Sequence, residues 1–326
     1  MMIEITNCPG TLTEGFDTYS TRCLRQMFGG RKVSHLLPYN SPQSGLEDES
    51  AFDDNRRQIS ISGVQEKYSV LRDKNKLRLV TGEERGGYIL KPIPSFGSKK
   101  DQIPANEHLT MQIAKQVFAI EVAESALIFF KNGEIAYLTK RFDVKDSGGK
   151  RAQEDFATLA GRTPQTHGEH YKYEGNYLEL FDLMKKYVPA YAVEAPKLMR
   201  LLIFNYLFSN GDAHFKNFSL LETELGDHRL SPAYDLLNSR IHVSDNDFAL
   251  EDGLLPKNLS GGKIADQFLE LANQVDISET IARRIFDEMS SKSKEVEEII
   301  NRSFLNLSTK RQYLKHYQKR LKRFSK

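Results

Sequence analysis

The chain has 326 residues, a formal net charge of +2, 39% hydrophobic residues and 28% charged residues. That balance excludes a disordered chain and is too near neutral for bulk nucleic-acid binding, while the length suffices for two lobes with separate cores. Two cysteines, Cys8 and Cys23, are too few for a disulfide framework and lack zinc-ligand spacing, and no apolar run reaches membrane-spanning length, so a soluble protein of a reducing cytoplasm is expected.

In chain order, residues 1 to about 55 are mixed, with a polar, acidic loop over 41–56. Strand-like runs follow at 67–72, 76–81 and 87–94. The one-turn spacing of Leu109, Ile113 and Val117 predicts a helix over 105–118 with an apolar face. "ESALIFF" and "EIAYLTKRF" flank Lys131, Asn132 and Gly133, and Asn-Gly between strand-like runs signals a hairpin. After Asp143 the pattern turns mainly helical, with segments at 178–187, 195–208, 264–275, 277–289 and 294–305. The expectation is an α+β chain with a β-rich N-lobe over 1–143, a helical C-lobe over 144–326, and a ligand crevice between them.

Four stretches carry candidate chemistry. In "SNGDAHFKN" (209–217), Asp212 and Asn217 have the spacing of a kinase catalytic acid and its metal-binding amide. The acid must accept a hydroxyl proton, and the amide oxygen must reach a metal on the phosphates. The same pair could also cap a turn and end a loop. "LSPAYDLLNS" (230–239) offers Asp235 either as a second metal ligand or as the N-cap of a helix opening at Leu236. Lys91 ends the apolar strand "GYILK" and could aim its ammonium at phosphates, with Glu107 on the next helix as its partner; a solvated strand end and a dipole-favoured glutamate are the plainer alternatives. In "RQISISGVQEKYSV" (57–70), Ser60, Ser62 and the amides of Gly63 and Val64 could cover phosphates, although one glycine is fewer than a kinase glycine-rich loop carries. The four occur in the order that builds an ATP crevice. This favours phosphoryl transfer over four unrelated accidents, on a two-lobed, protein-kinase-like fold.

"SISGVQEKYSV", "YILKP", "NEHLTMQIAK", "LTKRFD", "QEDFA", "NGDAHFKNFSLL" and "LSPAYDLLNS" together resemble the HipA family of bacterial serine/threonine kinase toxins, as does the approach "RQMFGGRKVSHLLPY". The resemblance implies Asp212 as general base, Asn217 and Asp235 as Mg²⁺ ligands, and Lys91 on ATP phosphates with Glu107 beside it. It further implies the backbone of Lys140 and Phe142 facing adenine, Asp143 at the ribose, His214 and Lys216 near the phosphates, and "QED" (153–155) loosely near the active site. Ser60 and Ser62 become autophosphorylation sites, where a phosphate would place up to two negative charges beside those of ATP.

Only about 55 residues precede the serine loop, and "SIS" has paired serines, which is similar to the short HipT type of a three-component toxin–antitoxin system. That resemblance implies a small antitoxin like the missing N-terminal subdomain, a helix-turn-helix protein through which alone DNA is reached, and an aminoacyl-tRNA synthetase as substrate, tryptophanyl or glutamyl. A small-molecule kinase and a pseudokinase-like module that binds an antitoxin stay open. "THGEH" (166–170) reads as a loop, not a metal site. The basic, aromatic-laced segment 309–326 reads as a C-terminal helix with a packed apolar side and solvated lysines.

Overall fold

Tyr68, Val70, Leu77, Leu79, Tyr88 and Leu90 are buried at alternate positions, as strands with one face in a core require. In a computed structural model that describes residues 4–42, 44, 52, 66–95, 97–145, 149–244 and 246–325, they fall in β1 (Tyr68–Asp73), β2 (Lys76–Leu79) and β3 (Tyr88–Lys91). With β4 (Ser125–Phe129) and β5 (Ile135–Lys140) they form an antiparallel sheet of order β2-β1-β3-β5-β4. The expected β4–β5 hairpin turns at Gly133, whose φ of 86° and N–H bond to Phe130 O explain the Asn-Gly pair.

The region read as merely mixed contains helix α1 (Thr21–Phe28). Ser20 caps it by accepting from Cys23 N–H, and Gly29 closes it at φ 61°. Cys23, Met27 and Phe28 of α1 share a core with β1 to β5. Both cysteines are buried and unbridged.

Helix α2 (Ile103–Gln116) buries Leu109 and Ile113 as expected, but it is not one-faced. Asn106, Glu107, His108, Thr110 and Gln112 are buried as well. Its polar residues therefore face protein, which the apolar spacing alone did not reveal.

Beyond Asp143 the chain is mainly helical, with one addition to the expectation. Three short strands, β6 (Gln153–Asp155), β7 (Ser219–Glu222) and β8 (His228–Leu230), form a second antiparallel sheet. The helices are α3 (Phe156–Leu159), α4 (Pro164–His167), α5 (Leu178–Tyr187), α6 (Tyr191–Leu207), α7 (Ile264–Gln274), α8 (Glu279–Ser290), α9 (Ser293–Arg302) and α10 (Leu307–Phe324). In α10 the buried residues include Tyr313, Tyr317 and Phe324, while Arg311, Lys315, Lys319 and Lys322 are exposed. Among the described residues no helix is long and apolar enough to cross a membrane.

The chain divides into two compact units. One comprises Met1–Gln112, Ala123–Phe142 and Glu298–Lys310; the other comprises Ile113–Val122, Asp143–Glu297 and Arg311–Lys326.

Candidate active site

The loop 209–217 leaves a helix whose end is defined residue by residue. Leu198, Leu202, Phe204 and Leu207 bury α6, and Ser209 then enters left-handed backbone at φ 55°. Asn210 N–H donates to Asn205 O at 2.9 Å and Ser209 N–H to Tyr206 O at 3.2 Å, a Schellman closure with serine where glycine is usual. Gly211 N–H donates to Ser239 Oγ at 2.9 Å. The chain emerges with Asp212 exposed, its side chain 56% accessible.

A tyrosine-rich stretch holds this loop. Tyr173 donates its hydroxyl proton to Asp212 Oδ1 at 2.8 Å, Tyr177 donates to Ala213 O at 2.8 Å, and Phe215 N–H reaches Lys172 O at 3.1 Å. Tyr173 thus demonstrates that Asp212 can accept from a hydroxyl at this position. His214 stacks edge-on against Tyr173 with centroids 5.0 Å apart. Burial and the charge of Lys172 push the His214 pKa down to about 3, against the opposing pull of Asp235. The ring is therefore neutral, and its 3.8 Å approach to Asp212 is not an ion pair. Its Nδ1 is buried and has no hydrogen-bond partner among the described residues.

Asn217 ends the short 3₁₀ turn Phe215–Asn217, with its N–H on His214 O at 2.9 Å. Asp235 lies at φ 55°, an uncommon conformation that short polar side chains tolerate best. No helix opens at Leu236; the next turn begins only at Ser239, so the helix-cap alternative for Asp235 is not met. Tyr234 ties the two stretches together: its hydroxyl donates to Lys216 O at 2.9 Å and bonds Ser219 Oγ. The loop bearing Asp212 and Asn217 and the stretch bearing Asp235 are thus tied together by hydrogen bonds within one unit. "QED" is β6, paired with β7, and Asp155 Oδ2 lies 3.9 Å from Lys216 Nζ.

In the other unit, Lys91 at the end of β3 and Glu107 on α2 form an ion pair of 2.6 Å, both residues 3% exposed. Lys91 Nζ also sits 5.3 Å from the Tyr137 ring centroid. Lys140 N–H is engaged by Glu124 O at 2.8 Å, and Arg141 N–H by Gly87 O at 2.9 Å. Phe142 is half-buried, and Asp143 is buried with its carbonyl accepting from Arg151 N–H at 2.8 Å. Ser60, Ser62, Gly63 and Val64 lie outside the described residues. Both histidines of "THGEH" are exposed, and no group of metal-binding side chains occurs among the described residues.

Tyr173, Tyr234 and Ser239 were not singled out from the sequence. The Tyr173–Asp212 bond spans 39 residues, so only the clustering of Tyr171, Tyr173 and Tyr177 could have hinted at it.

The family model described as HipA-like C-terminal domain matches residues 59–296. A Haemophilus influenzae protein named "Putative kinase" is 25% identical over 330 residues, covering 94% of this chain and 93% of that protein. "Putative kinase Y4dM" of Sinorhizobium fredii is 29% identical over 260 residues, 75% of this chain, which spans only 61% of that longer relative. Among solved structures, a chain of the Shewanella oneidensis MR-1 complex of HipA, HipB and operator DNA superposes with a TM-score of 0.63 at 18% identity, covering 88% of this chain and 73% of that one. The likeness is one of fold: mixed helix and sheet with an antiparallel sheet.

Proposed function

Because the chain belongs to the HipA-like C-terminal domain family, we propose that it is an ATP-dependent protein serine/threonine kinase acting as the toxin of a toxin–antitoxin system. The observation that supports the reading is the hydrogen-bonded tie between the loop carrying Asp212 and Asn217 and the stretches carrying Asp235 and Ser239. Asp212 accepts the proton of the acceptor hydroxyl, at the oxygen that here accepts a hydrogen bond from Tyr173. The carboxylate of Asp235 and the amide oxygen of Asn217 are hard oxygen donors of the kind Mg²⁺ takes, and the fit is sharpened by a neutral histidine beside them that adds no competing positive charge. Asp235 and Asn217 would hold the Mg²⁺, which would supply charge neutralisation for phosphoryl transfer.

Lys91 meets the α/β-phosphates, and Glu107 fixes its ammonium. A buried ion pair gains little stability, since desolvation offsets most of the attraction, so its retention here fits a working lysine. Lys140 and Phe142 backbone groups face adenine, Asp143 the ribose, and Lys216 the phosphates, while Gly63 and Val64 cover them. Lys140 would do so through its carbonyl, because its N–H is already used. Ser60 and Ser62 are autophosphorylation sites, and phosphate there inhibits the enzyme by crowding the nucleotide with like charge.

The acceptor is an aminoacyl-tRNA synthetase, tryptophanyl before glutamyl, on the short HipT-like reading, with inhibition of translation as the outcome. A small antitoxin and a helix-turn-helix protein are the partners, and DNA is met only through the latter. The purified protein, incubated with labelled ATP, Mg²⁺ and each synthetase, labels the tryptophanyl enzyme; Asp212→Ala does not. Labelling of neither synthetase by an enzyme that still labels itself contradicts the assignment of acceptor.

A further inference from the structure

Three arginines converge on one carboxylate behind the catalytic loop. Asp247 Oδ1 lies 2.7 Å from Arg320 NH1 and 2.9 Å from Arg240 NH2, and Asp247 Oδ2 lies 2.7 Å from Arg323 NH1. Arg320 is 2% exposed, although it carries a full charge. Its NH1 contact is close but poorly aligned for a hydrogen bond, and NH2 has no hydrogen-bond partner among the described residues. Three guanidinium groups thus meet at Asp247. A buried charge left alone is costly, so Asp247 fixes where Arg320 sits, with Arg240 and Arg323 drawn to the same carboxylate.

Two of the arginines, and the residue after Asp247, lead to the catalytic loop. The Arg320 guanidinium stacks over Tyr206, 4.6 Å from the ring centroid, and its Nε reaches Ser209 Oγ at 3.4 Å. Arg240 follows Ser239, whose N–H and Oγ–H both donate to Ser209 O at 3.2 and 3.0 Å, and whose Oγ accepts from Gly211 N–H. Phe248, next to Asp247, packs against Tyr177 and Tyr206 at 5.9 and 5.6 Å, and Tyr177 holds Ala213 O. Asp247 stands twelve residues beyond Asp235, in the segment that phosphorylation orders in kinases of the switchable kind, where a phosphate pairs with arginines.

We propose that Asp247 is a built-in counterpart of an activating phosphate: a positioning residue that, through Arg320 and Arg240, locks the segment after Asp235 and the loop bearing Asp212 without any modification. The kinetic part of this proposal rests on the phosphoryl-transfer reading; the structural part does not. The carboxylate is a monoanion among three guanidinium groups, so a phosphate dianion is the better match in charge.

The test is Asp247→Asn in the full chain, read by amide hydrogen exchange and by ATP turnover. Exchange at Gly211 and Ser239 rises at least about tenfold while the Lys91 strand is unchanged. Turnover falls roughly ten- to a hundredfold, with KM for ATP within about threefold, as expected for a misplaced catalytic group. Asp247→Glu restores both readouts, and in Asp247→Ala added inorganic phosphate restores both in part. Unchanged exchange at Gly211 and Ser239 overturns the proposal, as does wild-type turnover in a variant whose exchange has risen. Wild type that turns over no ATP refutes the kinase reading alone, and exchange still decides the clamp. Should Asp247→Asn not fold, Arg240→Gln, which removes one of the two paths, gives the same changes at smaller size, and no change at those amides overturns the proposal.

Discussion

Lys91 and Glu107 put an ammonium and a carboxylate 2.6 Å apart where water hardly reaches. Removing one partner strands the other, so Lys91→Met costs about 3–5 kcal/mol of stability. Adding Glu107→Leu removes the stranded charge and regains most of that loss. Neither variant transfers phosphate, so stability and activity separate in the double variant; chemical denaturation and ATP turnover measure the two. This pair was legible in the sequence because strand end and helix start each show one charged residue against an apolar pattern. Tyr173 and Asp247 were not legible in the same way. Their partners lie 39 residues off for Tyr173, and 73 and 76 residues off for Asp247 at Arg320 and Arg323, distances over which no local period carries information.

At the scale of elements, helix α2 shows what spacing conceals. Leu109 and Ile113 announced one apolar face, yet His108 on the other side is buried and its Nε2 lies 3.0 Å from Gly10 O. Burial drives the His108 pKa down to about 4, with the Gly10 carbonyl and Cys8 pulling weakly the other way. The unfolded chain takes up this proton near pH 6.5, whereas the fold refuses it until about pH 4. The contribution of His108 is therefore whole above pH 6.5 and is lost as pH falls below it. Between pH 7.5 and 5 the loss amounts to about 2 kcal/mol, and His108→Gln should show that much less decline in denaturant titrations at the two pH values. His214, pushed down to about 3, adds a loss of the same sign. The small sheet β6–β8 escaped the sequence reading for another reason: strands of three or four residues are too short to display a period of two.

At the scale of the molecule, the order of motifs carried more than any one of them. In the sequence each of Asp212, Asn217, Asp235 and Lys91 allows an ordinary structural explanation alone, which the structure removes for Asp235, where no helix opens, and for Lys91, which is buried. The β-rich first part and helical second part were legible because hydrophobic period changes near Asp143. The division into compact units was less so, since residues 298–310 return to the first unit and 311–326 to the second, and such returns leave no mark on composition. The basic C-terminal segment takes the packed role expected of it, and its Tyr317 stacks on Phe208 at 4.8 Å directly before the loop that bears Asp212.

The most direct measurement is the intact mass of phosphatase-treated protein after incubation with Mg²⁺ and ATP, wild type beside Asp212→Ala. Wild type gains one or two phosphates that map to Ser60 or Ser62, and Asp212→Ala gains none. An equal gain on both proteins, or wild type that neither gains mass nor binds ATP, contradicts phosphoryl transfer through Asp212.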